Sequence, residues 1–517
     1  MVALILAEHY PVLVVVISLL ASFTILILGW LKKKTAFFIS LATILLQLFM
    51  ALSMLKRVLA GGPIHYRLGG WAPPWGIEYV IDAFNAYVLV VILFLSLLCA
   101  IYSKRSVEKE LPLKIVPFYV LFQLLVTGLC GITVTGDIFN LYVFLEISSL
   151  SAYALIAVAG GKALKASYNY VIMGSMGACF FLLGIGFLYS VTGSLNMADL
   201  SHLLPPLYEN RAVQAAFVFF AIGMGIKAAL FPLHIWQPDA YTYAPSAVSA
   251  IIAATMSKVS VYALIRVIYS VFTLKFIQSY VGADLALCWI AAIGIIAGSV
   301  LAIMQTKLKR MLAYSSVSQI GYIVLGIGLS PISPWGLVGA MAHILNHAIM
   351  KGCLFMAAGG FIYKFGLWDI NDFKGLGKKM PYVSAAFSLA AVSMIGVPPT
   401  TGFATKVFLL LASLEATKTF AVSGYIFVAV LLFSTLLNLS YFWRVIDRIY
   451  FARSEEEEEV TGMGEVKKLE VPLSMLVPML ILAALCIVVG IMWFTQVPFP
   501  FLERAISELG VGVMPRW

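Results

Sequence analysis

The sequence predicts an all-α, polytopic membrane protein of about 14 transmembrane helices, and three observations carry that prediction. Of the 517 residues, 62% are hydrophobic and only 11% charged, with a mean hydropathy of +0.99. A soluble domain carries about 25% charged residues, so half of the usual solvating surface is missing. That deficit excludes a water-soluble globular enzyme, a disordered chain and a nucleic-acid binder. Runs such as Val88–Leu98 (VLVVILFLSLL) are continuously apolar, whereas a membrane barrel needs strands of alternating polarity. Finally, the basic residues sort unequally between alternate loops, as they do in helical membrane proteins.

The first predicted span, 10–31, is too long for a signal-peptide core and lacks a basic leader, so it reads as retained. Spans at 35–55 and 80–102 complete an N-terminal group, 1–114. Spans at 115–135, 137–159, 168–192, 213–233 and 244–271 form a first unit of five, 115–271. Spans at 285–305, 312–329, 336–363, 382–413 and 421–449 form a second, 272–449. A final segment, 450–517, holds the acidic run Glu455–Glu459, a last span at 471–495 and a short tail. The six cysteines stand apart inside apolar stretches with no CxxC, which reads as inert packing rather than zinc, iron–sulfur or attached haem.

The formal charge is +10, from 34 Lys and Arg against 24 Asp and Glu. Loops after odd-numbered spans hold 21 of the basic residues, and the other loops and the termini hold nine. By the positive-inside rule the odd loops are cytoplasmic and both termini lie outside, in a prokaryotic cell membrane. Four lysines remain, all inside spans: Lys227, Lys258, Lys351 and Lys406. Glu146 joins them in span five, as do His234 near a helix end and His343 and His347 in span eleven. A charge at bilayer depth costs about 2.5–3.5 kcal/mol on insertion scales, so these groups must pair, bind water or exchange protons. Lysine suits the last task because its charged form loses hydration on burial.

His343, His347 and Lys351 recur at every fourth position and share one helix face. They offer stepped proton carriers along about 12 Å of helix. Core-packed polar pairs are the competing reading; a metal site would need further ligands that the sequence does not supply nearby. Prolines interrupt two spans beside lysines: Pro232, Pro238 and Pro245 after Lys227, and Gly396, Pro398, Pro399 and Gly402 before Lys406. Proline removes a helical hydrogen bond, and a break at depth requires protein or water to satisfy the freed backbone. Lys406 lies 179 residues beyond Lys227, and the starts of spans four and nine are 170 apart. Two successive five-helix units have opposite orientation, so the expected plan is a pair of inverted repeats, each with a discontinuous fourth helix: helices seven and twelve of the chain.

The stretch Lys227–Arg266 (KAALFPLHIWQPDAYTYAPSAVSAIIAATMSKVSVYALIR) resembles the signature of the antiporter-like subunits of respiratory complex I, Mrp cation/proton antiporters and energy-converting membrane-bound hydrogenases. Gly136–Glu146 (GDIFNLYVFLE), Lys307–Tyr322 (KLKRMLAYSSVSQIGY) and His343–Leu354 (HILNHAIMKGCL) match further family segments. The resemblance implies a 14-helix fold with two inverted repeats. It also implies that Glu146 pairs with Lys227 and modulates its proton affinity, that Lys258 is the central carrier, that His343 and His347 bridge the half-channels, and that Lys406 is the terminal carrier. His234 falls where the family has a histidine beside the break in helix seven. Lys406 stands where one complex I class has glutamate, and only 22 residues follow residue 495, too few for the long lateral helix of the distal complex I subunit. Gln237 replaces an apolar residue common before the motif proline. The pattern is most similar to the D-type Mrp subunit, also found in membrane-bound hydrogenases and sulfur-reducing complexes; a complex I NADH-quinone oxidoreductase subunit is the alternative.

The expected function is therefore proton translocation, with Na⁺/H⁺ antiport as a variant, along a buried Glu/Lys/His axis in a multisubunit complex. The expected partners are other integral membrane subunits, the lipid bilayer, H⁺ and a candidate Na⁺, with no nucleic acid. No cofactor, metal or redox chemistry is expected of this chain itself. The competing classes are an intramembrane quinone- or haem-binding redox subunit, a non-conducting scaffold, and a stand-alone permease.

Overall fold

The computed structural model describes residues 7–452, 469–495 and 499–511. The acidic run Glu455–Glu459 therefore lies outside the described residues. Three helices lead: α1 (Tyr10–Leu31), α2 (Lys33–Gly61) and α3 (Ala83–Glu110). Between α2 and α3 the chain makes a two-stranded antiparallel hairpin, β1 (Ile64–Arg67) and β2 (Glu78–Ile81). Asp82 then starts α3 by accepting from the Asn85 backbone N–H, while the Asn85 side chain returns a bond to Asp82 N, a reciprocal cap.

The next run comprises α4 (Ile115–Val134), α5 (Ile138–Ala157), α6 (Lys162–Thr192), α7 (Arg211–Ala228), the short α8 (Gln237–Tyr243) and α9 (Ser246–Tyr280). After it come α10 (Ala283–Ile303), α11 (Leu308–Leu329), α12 (Pro334–Phe365), α13 (Pro381–Ile395), α14 (Thr401–Phe420) and α15 (Val422–Tyr450), then α16 (Leu473–Phe494) and α17 (Phe499–Glu508). Among the described residues, thirteen helices are long and apolar enough to cross a membrane. The remaining expected span, 382–413, is present as α13 and α14 on either side of the predicted break. Span seven is likewise divided into α7 and α8. Both discontinuities fall where proline and glycine interrupt the apolar pattern.

The core is built around α9, α11 and α12, the apolar lengths of which are largely or wholly buried. Helix α12 packs against α3, α9, α11, α13, α14 and α16, and so lies against both halves of the second broken span. Asn346 on α12 clamps the second break. Its amide donates to Thr401 O (3.0 Å) and Thr405 Oγ1 (2.7 Å), and its carbonyl accepts from Trp493 Nε1 of α16 (3.0 Å). The outer helices leave apolar side chains uncovered, as on α1, where Trp30 is 85% exposed. Five cysteines are buried as expected, but Cys179 is exposed on α6.

Gly490 brings α16 against the break in span twelve: a Cβ there would meet Pro399 O at 2.1 Å and the Thr400–Thr401 backbone at 2.6 Å. Gly490→Ala should therefore destabilise the protein by about 1–3 kcal/mol. The check is the thermal unfolding of detergent-purified protein, with Gly186→Ala, which meets open space, expected to be neutral.

Candidate proton path

The first cluster forms where α5 and α7 face each other. Lys227, in the last turn of α7, is 2% exposed, and its Nζ donates to Glu146 Oε1 at 2.9 Å and to Ser149 Oγ at 2.7 Å. Glu146 and Ser149 sit three residues apart on α5, hence on one face. Glu146 is 23% exposed, so this pair reaches the surface of the chain. Helix α7 stops because Ala229 turns left-handed (φ 58°). Ile226 O accepts from Ala229 N at 3.1 Å and also from Trp236 Nε1 at 2.8 Å, which ties the segment after the break back to the end of α7. His234 lies in the same break, 7% exposed, stacked on Phe231, with Nδ1 lacking a protein partner.

Lys258 lies in α9 two residues after the end of a π-helical turn, Ile252–Met256. Widening the helix frees a carbonyl from the i−4 ladder, and Lys258 Nζ donates to one of these, Ala253 O. Lys406 sits in α14 and reaches back across the break to Ile395 O, the last carbonyl of α13, at 2.5 Å, and to Thr435 Oγ1 at 2.9 Å. Gly396 has φ +88°, and its missing side chain leaves room for the lysine stem: a Cβ would lie 2.9 Å from Lys406 Cδ. A cation at a helix C-terminus also complements the helix dipole. Lys351, fully buried, donates to Leu312 O at 2.8 Å and to Ser315 Oγ. Among the described residues, none of Lys258, Lys351 and Lys406 pairs with a carboxylate.

His343 and His347 lie between them. Their rings stack at 5.5 Å with 9° between planes, as the four-residue spacing requires. All four ring nitrogens are buried and have no hydrogen-bond partner among the described residues. Tyr322 stacks on His343 at 5.7 Å, and Lys406 Nζ lies over the same tyrosine ring at 5.8 Å. Helix α12, which carries His343, His347 and Lys351, packs against α9, which carries Lys258, and α14, which carries Lys406, so the five residues share one buried region. The Glu146–Lys227 pair forms a second group, with the aromatic rings of Tyr153, Tyr170 and Trp236 in contact with one another beside the α7 break.

Two basic residues assigned to loops by the sequence are in fact interior. Lys309 is 2% exposed, and its Nζ donates to Ala244 O, the end of α8, at 2.8 Å and to Ser249 Oγ at 3.0 Å. Its position beside Lys307 and Arg310 disguised it as part of a loop cluster. Arg266 is 8% exposed and pairs with Asp82 at 2.5 Å, while its Nε donates to Tyr262 OH at 3.0 Å. A signal for Arg266 was present: Lys258, Tyr262 and Arg266 repeat at every fourth position, the spacing that singled out His343, His347 and Lys351. Glu110 also acts inside, accepting from Ser246 N at the start of α9 at 2.8 Å.

A family model described as NADH:quinone oxidoreductase/Mrp antiporter, TM, matches residues 135–436, which span both clusters. The chain belongs to this antiporter-like family. It is 44% identical, over 98% of its length and 99% of the other protein, to a chain named NADH-quinone oxidoreductase subunit N from Desulforudis audaxviator. It is 30% identical, over 89% of its length and 88% of the other protein, to the D subunit of the Na(+)/H(+) antiporter from Alkalihalophilus pseudofirmus. Both named types are therefore relatives, the oxidoreductase protein being the more similar of these two. Among solved structures, a chain of the archaeal membrane-bound sulfane sulfur reductase superposes with a TM-score of 0.86 at 32% identity, covering 96% of this chain and 97% of that one.

The Asp82–Arg266 pair ties α9 to the residue that joins β2 to α3. Removing one partner strands the other, so Asp82→Ala should cost about 3–5 kcal/mol. Asp82→Ala with Arg266→Met should recover part of that loss, as a double-mutant cycle on chemical unfolding would show.

Proposed function

We propose that this chain is the proton-translocating subunit of a multisubunit, ion-pumping membrane complex of the Mrp or complex I kind. The observation that carries the reading is the interior cluster: three lysines without carboxylate partners around two histidines with four unpartnered ring nitrogens. Unpaired buried charge is costly, and buried polar atoms ordinarily find partners. A set of such groups in one place is suited to passing a proton between alternative occupants.

In this reading Glu146 and Lys227 form the receiving pair, with His234 beside the helix break. Lys258 is the central carrier, His347 and His343 bridge to the second half, and Lys406 delivers the proton at the second break. Lys351 supplies a further site on the α12 face. Loss of a proton from Lys258 or Lys406 leaves an amine that still donates to the same carbonyl, so the holding contacts survive the transfer. Both breaks supply carbonyls at depth, which supports pairing α4–α9 with α10–α15 as inverted repeats, 115–271 and 272–449. The excess of Lys and Arg on alternate loops supports cytoplasmic loops after odd-numbered spans and both termini outside. Membership of large assemblies among the relatives supports integral membrane partners. Na⁺, where it is coupled, would enter through those partners or through the Glu146 end.

Lys258→Ala in the assembled complex should reduce coupled proton translocation at least tenfold while assembly persists. Glu146→Gln should weaken it less, because Ser149 still holds Lys227. Proton uptake by proteoliposomes, normalised to assembled complex, is the measurement; unchanged pumping by Lys258→Ala would remove the assignment.

A further inference from the structure

A basic cavity of about 480 Å³ lies away from the proton path, where the α1–α2 turn meets the end of α3 and the start of α4. Lys33, Lys34, Lys104 and Arg105 line it, against one carboxylate, Glu108. That carboxylate is taken by Arg105 at 2.9 Å. Among the described residues, Lys33, Lys34 and Lys104 are in no ion pair. Lys104 is held in place instead by aromatic faces, its Nζ lying 5.1 Å from the centre of the Phe37 ring and 5.7 Å from that of Phe38.

Two further features bear on what the cavity accepts. Lys33 and Lys34 open α2, whose first turn has no acidic residue and whose start has no side-chain cap. Like charge at the positive end of a helix is unfavourable until an anion arrives. The cavity also sits at the edge of the apolar zone. Helix α1 has 22 residues, about 33 Å of helix, and runs from Tyr10 straight into this turn. Phe38 is 58% exposed beside the cavity, and Trp30 and Leu31, in the last turn of α1, are 85% and 77% exposed. A ligand there meets cations at one end and uncovered apolar surface at the other.

We infer that this cavity binds an anionic phospholipid, its headgroup phosphate held by Lys33, Lys34 and Lys104 and its acyl chains lying along Phe38 and the end of α1. Basic pockets between transmembrane helices recognise such headgroups by charge. The amphiphilic lining favours a lipid over free phosphate, which would use only the cationic end. The occupant serves as a clamp between the N-terminal helices and α3, and it takes no part in proton transfer.

The test is native mass spectrometry of the purified complex, delipidated and then incubated with vesicles of equal parts phosphatidylglycerol and phosphatidylcholine. The wild type should retain phosphatidylglycerol in preference to phosphatidylcholine. Lys33→Gln/Lys34→Gln/Lys104→Gln should lose that preference by about a hundredfold, given about 1 kcal/mol for each of the three basic residues near a membrane surface. Should the triple variant fail to assemble, Lys34→Gln and Lys104→Gln singly should each give a partial loss. Equal retention of both lipids, or unchanged preference in the variants, would overturn the proposal. Displacement of the lipid by 10 mM inorganic phosphate would overturn it in favour of a free-phosphate site. A gain in lipid binding only when Glu455–Glu459 are changed to glutamine would show that this chain's own acidic run fills the cavity, and would overturn it as well.

Discussion

A lysine inside an apolar bundle needs an oxygen, and a continuous helix has almost none to spare because its carbonyls are engaged four residues on. The interior of this protein is organised around that scarcity. Lys406 uses the last carbonyl of α13, Lys309 the end of α8, and Lys258 a carbonyl freed by the π-helical turn in α9. In each case a helix has been ended, broken or widened where an ammonium group has to be held. Discontinuity and buried charge are thus one feature of the fold seen from two sides. Lys351 is the variation: it shares Leu312 O, which also receives the hydroxyls of Ser315 and Ser316, and adds Ser315 Oγ.

The choice of carbonyl over carboxylate has a chemical consequence. A carboxylate opposite a buried lysine would stabilise the ammonium form strongly and resist its discharge. A carbonyl dipole holds an amine and an ammonium in the same geometry, so the position of the nitrogen does not depend on its charge. Lys227 is the lysine on the proposed path that pairs with a carboxylate among the described residues, and its partner Glu146 is part-exposed. That arrangement suits a site where charge is admitted, whereas the interior lysines suit sites where charge passes. Arg266, locked to Asp82 and to Tyr262, is of the opposite kind: a permanent charge with both partners fixed.

Much of this was legible in the sequence. Long continuous apolar runs have few alternatives to membrane helices, and proline with glycine marked both discontinuities to within a few residues. All four lysines that fitted no loop are buried, and the four-residue spacing of His343 and His347 does produce stacked rings. What could not be read was the identity of the oxygens, because a backbone carbonyl carries no sequence signature. For the same reason the sorting of basic residues into loops went wrong at Lys309 and Arg266. A cation bonded to a helix end looks, in sequence, like a cation at the membrane edge. The pairing of Asp82 with Arg266 joins residues 184 positions apart, and nothing local announces it.

The central claim is that the interior lysines change protonation during function. Solid-state ¹⁵N NMR of lysine-labelled complex in lipid, with Lys258→Arg and Lys406→Arg used to assign the signals, reads that state directly. The expected result is that the Lys258 and Lys406 nitrogens switch between amine and ammonium signals when the resting complex is made to turn over. Ammonium signals that stay constant in both conditions would contradict it.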